Sequence, residues 1–470
     1  MTTVAGGLPT PGLHEGLEDV DPFLLDALKK VEEDFKVDTA MLKKISQRFE
    51  EELHEGLAKT GANLSMNVTW VKGFPTGKEK GSYLTIDLGG TNMRVCWITL
   101  HGNGSDAEVV QDMFKLPPEI KKGEAHELWA LVSEYLQKFI EKHDLKSTDG
   151  KRLPLGFTFS YPATQDRIDH GKLITWTKGF DIKGVEGQDV AGQLRDALEQ
   201  RKLPVELVAL INDTTGALIA SAYNDPETII GVIFGTGCNG AYMEDVGSIH
   251  KLKSSLPKDT PMAINCEYGA FDNSRQILPR TKYDIHIDNK SPRPGEQAFE
   301  KMSAGLYLGE IFRLVLEDMH SQSLMFKNQD VSLLHKEYHL DTGFLSALEN
   351  HGEEEMMARF KEDLNIKPTK DELKISRCLA AIVALRGARL CACGVAAICH
   401  KKGLKSGHVA ADGSVANKHP KFKLRWADAL GEILDWPSDR TSDPITLTSA
   451  EDGSGVGAAV ISAMAVADRG

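Results

Sequence analysis

The 470-residue sequence has no long basic block, no low-complexity tract and few cysteines, and each absence removes a class of function. Its formal charge is −13, which argues against a nucleic-acid surface and against an anionic membrane face. An anionic substrate would therefore need a local pocket of donors. The seven cysteines (96, 238, 266, 378, 391, 393 and 399) are scattered through apolar stretches. They read as reduced thiols of a cytoplasmic protein and not as a disulfide frame. The N-terminus, MTTVAGGLPTPGLHEGLEDVDPF, has neither a basic n-region nor an apolar h-region, so no signal peptide is expected. The GxxxxGK[ST] spacing of a nucleotide loop is also missing, and Gly77-Lys78 marks only a turn.

What is present has ordinary globular proportions, 41% hydrophobic and 26% charged. The length suits two or three domains, or one large α/β unit with a split sheet. One apolar run, 378–399, is long enough to span a bilayer, but Arg386 and Arg389 fall at its middle. Charge is costly there, so a buried helix of a soluble protein is expected.

The chain is organised around 81–100, GSYLTIDLGGTNMRVCWITL. Two apolar, β-branched runs flank Gly89-Gly90-Thr91-Asn92, which is the pattern of a β-hairpin. Glycines also let turn amides approach an anion closely, so the same turn could cradle a phosphate. Asp87 and Thr91 stand where a nucleotide-bound metal would meet them. Most glycine hairpins bind nothing, and the rest of the chain has to decide between the two readings.

Asp21-Pro22 signals a helix start, and Met41, Ile45, Phe49, Leu53 and Leu57 mark an amphipathic helix. Strands are expected over 108–113, 153–159, 205–211, 262–266 and 445–447. Helices are expected over 125–143, 190–199, 213–223, 297–316, 373–401 and 425–434, with a last one from about Gly455. This alternation implies a parallel or mixed sheet with helical crossovers. The opening pattern returns at 227–245, ETIIGVIFGTGCNGAYMED, as apolar strand, glycine turn and apolar strand. Two hairpins of one design suggest an internal duplication, with two glycine turns either side of one cleft. A third glycine cluster, AEDGSGVGAA, precedes the final helix.

Open α/β sheets bind ligands where strands end and helices begin. The strand at 205–211 ends there in Asn212-Asp213. Asx residues at a helix start cap it by default, but Asp213 could also accept a proton from a hydroxyl. Ser160, then Thr177 and Lys178, and further on Asn265 and Glu267, sit at other strand ends or in the segments after them. Together they are a polyol-binding set, because each sugar hydroxyl needs a donor and an acceptor.

The motifs IDLGGTNMRV, FTFSYPATQ, WTKGFD, INDTTG, IFGTGCNGAY, INCEYGAFDN, SPRPGEQAFEKM and EDGSGVGAA occur once each, in this order. From about Asn67 to the C-terminus the chain resembles the eukaryotic hexokinases, fungal members above all. The resemblance implies an α/β duplicated ribonuclease-H-like fold shared with actin-type ATPases, with two unequal lobes around a cleft. A flexible leader would cover 1–20, a small lobe 81–211 plus 449–470, and a large lobe 21–80 plus 212–448. The implied reaction is ATP-dependent phosphorylation of the 6-hydroxyl of glucose and other hexoses.

By the same resemblance Asp213 is the general base, and Lys178 offsets charge on the transferred phosphoryl group. Ser160, Thr177, Lys178, Asn212, Asn239, Glu267 and Glu300 would line the sugar, with Asn265 and Gln297 close by. Asp87, Gly89, Gly90, Thr91 and Asn92 would form the first phosphate loop, and Gly235, Thr236 and Gly237 the second. Gly305, Asp412, Gly413, Ser414, Gly453, Ser454 and Gly455 would lie on the nucleotide side. Mg²⁺ would be held mainly by ATP phosphates and water, with Asp87 and Asp213 outside its coordination sphere. No nucleic acid or membrane span is implied, and the assembly would be a monomer or homodimer.

Two departures stand out: Tyr268 where animal members have Trp, and Glu296 in place of a usual Gln. The rival readings are a glucose-specific glucokinase, a glucose-sensing protein of the same family, and a bacterial-type sugar kinase with structural zinc. For the last, CACGVAAIC has Cys399 one residue late and no Glu following. A sensor or actin-like protein without phosphoryl transfer would lack Asp213 or Lys178, and both are present.

Overall fold

The computed structural model describes residues 16–146, 150–176, 180–450 and 452–469. Helices α1 (Pro22–Phe35) and α2 (Thr39–Ala58) come first. Each is capped by an aspartate side chain, Asp21 accepting from Phe23 N and Asp38 from Met41 N. Strands β1 (Asn67–Lys72), β2 (Lys80–Leu88), β3 (Asn92–His101) and β4 (Glu108–Lys115) lead to α3 (Ala125–Lys142). Next come β5 (Leu153–Phe159), a small hairpin of β6 (Ala163–Arg167) and β7 (His170–Leu173), and α4 (Val190–Gln200). Strand β8 (Val205–Ile211) then runs straight into α5 (Asp213–Asn224).

The pattern restarts with β9 (Thr228–Phe234), β10 (Cys238–Asp245) and β11 (Pro261–Asn265). A helical block follows: α6 (Lys282–Lys290), α7 (Ala298–Ser303), α8 (Gly305–Ser321), α9 (Thr342–Asn350), α10 (Glu353–Leu364) and α11 (Lys370–Lys402). After it come β12 (Gly407–Asp412), α12 (Ser414–Lys418), α13 (Phe422–Ile433) and β13 (Ile445–Ser449). A π-helical turn, Gly453–Gly457, leads into α14 (Ala458–Ala467).

The strands form two principal sheets of matching design. One has the order β4-β3-β2-β5-β8, with β4, β3 and β2 antiparallel and β5 and β8 added in parallel. In the other, β11, β10 and β9 are the antiparallel part and β12 and β13 are added in parallel, with β1 on the far edge. The duplication expected from the two glycine hairpins is therefore present strand for strand. Helices α5 and α14 are equivalents in the two halves and meet through glycines. A Cβ on Gly216 would lie 2.3 Å from Gly453 O, and one on Gly457 would lie 2.2 Å from Gly216 O. Larger residues would separate these helices and the sheets they cover.

Several expectations are corrected. The helix expected over 297–316 is two helices, broken at Ala304, whose backbone is extended. The break lets Gly305 N donate to Gly235 O at 2.7 Å, so the second glycine turn is held by the start of α8. The last helix begins after a π-turn and not at Gly455. Strands β1, β6, β7 and β12 went unread because they are short and lack strict alternation. Helix α11 is long and apolar enough to cross a membrane by length and composition, yet its apolar window is wholly buried. Arg386 pairs with Asp284 through two 2.7 Å bonds, and Arg389 pairs with Glu432 through two 2.8 Å bonds. All seven cysteines are buried and unbridged.

Candidate active site

Strand register brings the first group of residues together. Asp87 on β2 is level with Thr158 on β5, and Thr158 is level with Ile211 on β8. Asp87, Ser160, Asn212 and Asp213 thus lie along one edge, the carboxyl ends of three parallel strands. In the other sheet Asp412 is level with Ile233, so Gly235 and Gly413 leave the corresponding edge. Both edges are where an open α/β sheet places ligands.

Asn212 caps α5, its Oδ1 accepting from Thr214 N at 2.9 Å. Asp213 is the first helical residue, and its Oδ1 accepts from Thr214 N at 2.7 Å and Thr214 Oγ1 at 3.2 Å. One oxygen is therefore fixed, which orients the carboxylate. The positive end of the helix favours negative charge there. Capping is thus served by Asn212, the residue before the helix, and does not by itself account for Asp213.

The first glycine turn is closed by Gly89 N donating to Asn92 O at 3.0 Å, and Thr91 O accepts from Leu116 N. Tyr161 reaches Gly89 O with its hydroxyl at 3.4 Å. Thr91 and Asn92 are exposed, with Asn92 Nδ2 3.3 Å from Thr91 Oγ1. Behind the turn, Arg94 gathers acidic and polar groups. It donates to both oxygens of Asp452, at 2.5 and 2.9 Å, and to Ser454 Oγ at 2.6 Å, and it lies 3.9 Å from Asp87. Asp452 in turn accepts from Gly455 N, and Ser454 O accepts from Thr158 Oγ1 at 2.9 Å. The third glycine cluster (Gly453, Ser454, Gly455) is thereby tied to the first hairpin.

The second turn closes through Gly235 N donating to Gly237 O at 3.0 Å, and Leu306 N bonds Thr236 O. Gly413, at φ +111°, backs onto Phe234, where a Cβ would stand 2.5 Å from the carbonyl; only glycine fits. Ser414 opens α12 directly after it. Burial pushes the Asp412 carboxyl above its ordinary range; a hydrogen bond from Gly413 N opposes the shift, and the nearby charges of Asp213 and Asp452 add to it.

A polar wall adjoins the second turn. Asn239 Nδ2 donates to Asn265 Oδ1 at 2.7 Å, and Asn265 Nδ2 donates to Glu267 Oε1 at 2.8 Å. Both asparagines are buried. Glu267 and Gln297 take left-handed backbone conformations, φ +54° and +55°, each at the start of a short helix. Glu300 Oε2 accepts from Cys238 N at 3.0 Å, which joins the wall to the glycine turn. Thr177 and Lys178 lie outside the described residues. Sequence reasoning missed Arg94, Thr158 and Asp452; a charged residue opposite Asp87 in the hairpin register was the available signal for Arg94.

Two glycine turns on opposed sheets, an aspartate at a helix start and a wall of amides and carboxylates define a phosphotransferase of the duplicated ribonuclease-H-like, actin-type class. Models of the family described as "Hexokinase" match residues 27–223 and 229–464. The chain belongs to the hexokinase family, whose members are ATP-dependent hexose phosphotransferases. It is 54% identical over 461 residues to the hexokinase of Emericella nidulans, covering 97% of this chain and 94% of that protein. To hexokinase-1 of Saccharomyces cerevisiae it is 49% identical over 467 residues, covering 97% and 96%. Among solved structures, the hexokinase of Schistosoma mansoni complexed with glucose superposes with a TM-score of 0.84 at 32% identity, covering 94% of this chain and 99% of that one.

Proposed function

We propose that the protein transfers the γ-phosphoryl group of ATP to the 6-hydroxyl of glucose and related hexoses. The observation that carries this reading is the Glu300–Cys238 N bond, which couples a hydroxyl-binding wall to a phosphate turn. Asn239, Asn265, Glu267, Gln297 and Glu300 hold the sugar, with Ser160, Thr177, Lys178 and Asn212 on its other side. Asp213 takes the proton of the 6-hydroxyl as the oxygen attacks, and its fixed orientation limits the rearrangement this needs. Lys178 balances charge on the transferred group. Asp87, Gly89, Gly90, Thr91 and Asn92 hold phosphates from one side, and Gly235, Thr236 and Gly237 from the other. Gly305, Asp412, Gly413, Ser414, Gly453, Ser454 and Gly455 line the nucleotide.

The donor set fits a hard divalent cation. Burial first, and then the nearby charges of Asp213 and Asp452, raise the pKa of the Asp412 carboxyl, so three carboxylates stand close enough to interact. Magnesium would bind chiefly through phosphates and water, with Asp87 and Asp213 contacting its water ligands. Bound there, it would neutralise phosphate charge.

The five-stranded sheet with α14 forms a small lobe (81–211 and 449–470), and the other sheet with the helical block forms a large lobe (21–80 and 212–448). Closure of the lobes around the sugar excludes water from the phosphoryl group. The seven buried, unbridged thiols support a cytoplasmic setting. Asp213→Ala should keep glucose binding within about tenfold and lower turnover at least about 100-fold. Near-normal turnover in a coupled assay would remove Asp213 as the base.

A further inference from the structure

Next to the segment that carries Thr177 and Lys178, the side chain of Arg293 joins the two halves of the molecule. Arg293 lies in the loop between α6 and α7, on the large-lobe side. Its Nη2 donates to Thr175 Oγ1 at 2.6 Å and to Trp176 O at 3.2 Å, on the small-lobe side. Both acceptors directly precede Thr177 in the chain.

Each end of this link is firmly mounted. The Arg293 loop is held by a buried hub at Asp288. There Lys301 Nζ reaches Asp288 Oδ1 at 2.8 Å, and Gly295 N donates to the same oxygen at 2.9 Å. Arg275 and Arg280 bond the other oxygen at 2.8 and 3.1 Å. Lys301 also donates to Arg293 O at 2.8 Å, so the loop backbone is pinned directly under the arginine. Lys301 and Asp288 are almost wholly buried, at 5% and 6% side-chain exposure.

On the opposite side, Trp176 packs among Tyr161 and Phe180, with ring centroids 4.9 and 5.3 Å away. Its backbone N donates to Glu186 Oε1 at 2.7 Å and its indole N to Ile182 O at 3.0 Å. Neither partner of Arg293 can follow it far without breaking its own anchorage. Glu296, whose carboxylate stands 3.5 Å from Arg293 Nη1, restrains the guanidinium from behind. That gives the unusual glutamate a place: it faces the arginine.

We propose that Arg293 is a positioning residue, a latch between the lobes that holds Thr175 and Trp176 against the large lobe and so sets sugar affinity. This rests on the reading of the site as a hexose-binding cleft. Arg293 touches neither substrate nor nucleotide in this account. Its contacts involve neither the phosphoryl group nor the 6-hydroxyl, so losing them should remove uniform binding: KM for the sugar rises and kcat does not fall.

The test uses the full chain with glucose and ATP as probes. Arg293→Ala should raise the glucose KM about three- to tenfold, a size suited to charge-assisted bonds at a partly exposed site, and leave kcat and the ATP KM within about twofold. Arg293→Lys, which can still reach one acceptor, should recover most of the loss. Thr175→Val combined with Arg293→Ala should cost less than the sum of the two singles, because they share one interaction. Arg293 is 44% exposed, so melting temperatures should stay at the wild-type value. An unchanged glucose KM in Arg293→Ala, equal rises in both KM values, or a lysine variant no better than alanine would each overturn the latch. These outcomes are separable from the functional reading, which fails only if the wild type itself phosphorylates no hexose.

Discussion

Replacing Gly237 by alanine probes the coupling between the second glycine turn and the polar wall proposed to bind the sugar hydroxyls. A Cβ at 237 would stand 2.7 Å from Glu300 Oε2, whereas ordinary contact begins near 3.4 Å. The carboxylate end of Glu300 is the flexible partner, so it must withdraw by about 0.7 Å. That movement stretches the 3.0 Å bond from Cys238 N beyond hydrogen-bonding range and leaves a buried N–H unpaired. The cost is about 1–3 kcal/mol, and the displaced carboxylate also loses its proposed sugar hydroxyl. The glucose kcat/KM should fall about 10- to 100-fold, with the ATP KM within about twofold. Gly235→Ala is the contrast, because its Cβ would meet Gly413 Cα at 3.1 Å, backbone against backbone on the nucleotide side. There the ATP KM should rise more than the glucose KM. Steady-state kinetics with each substrate varied in turn distinguish the two. A Gly237→Ala enzyme with a normal glucose KM and a weakened ATP KM would refute the coupling.

Two pH effects follow with opposite signs. Asp412 has a folded-state pKa above its ordinary 3.8, so its ionisation opposes folding as pH rises through that window. Asp412→Asn should therefore raise the melting temperature at neutral pH, with the advantage vanishing below about pH 4; a constant difference at all pH values would contradict this. For Glu349, burial alone would raise the pKa, but His419 Nε2 at 3.4 Å and bonds from both Arg425 terminal nitrogens, at 2.9 and 2.6 Å, bring it down to about 2. Its contribution, about 3 kcal/mol, is present above pH 4.5 and lost as pH falls toward 2. Urea melts of wild type and Glu349→Gln should converge as the pH is lowered, and parallel curves would sink the assignment.

The parts legible in the sequence were those with local signatures. Both glycine hairpins, the strand ending at Asn212-Asp213 and the capped helices are written in short runs of residues, and they stand as read. The duplication was legible because both halves repeat a whole supersecondary unit. What escaped depends on residues far apart in the chain. Arg94 and Asp452 are separated by most of the sequence, and no periodicity joins them. The break at Ala304 lies in a pattern that remains helical on both sides, because it is imposed by a bond from Gly305 to a turn seventy residues earlier. Strand β12 is only six residues long and draws its stability from neighbours on both sides. The buried helix expected from the positive charge in the middle of α11 is borne out, its apolar window lying wholly inside the fold. The identity of its partners, Asp284 and Glu432, came only from the fold.

Helix α14 sets an order for the making of this protein. It lies against β2, β5 and β8, where Ala458 and Ser462 come so close to Gly156 that a methyl group there would strike both. The strands of the sheet it covers are complete at Ile211, yet its cover begins only at Ala458, far later in the chain. Until that helix is made, one apolar face of the sheet lacks its native partner. The six-stranded sheet waits as well, since β13 arrives only at Ile445–Ser449. Both sheets are thus completed only by contacts between residues far apart in the chain, a slow kind of contact to form, and apolar surface stays open until they are made.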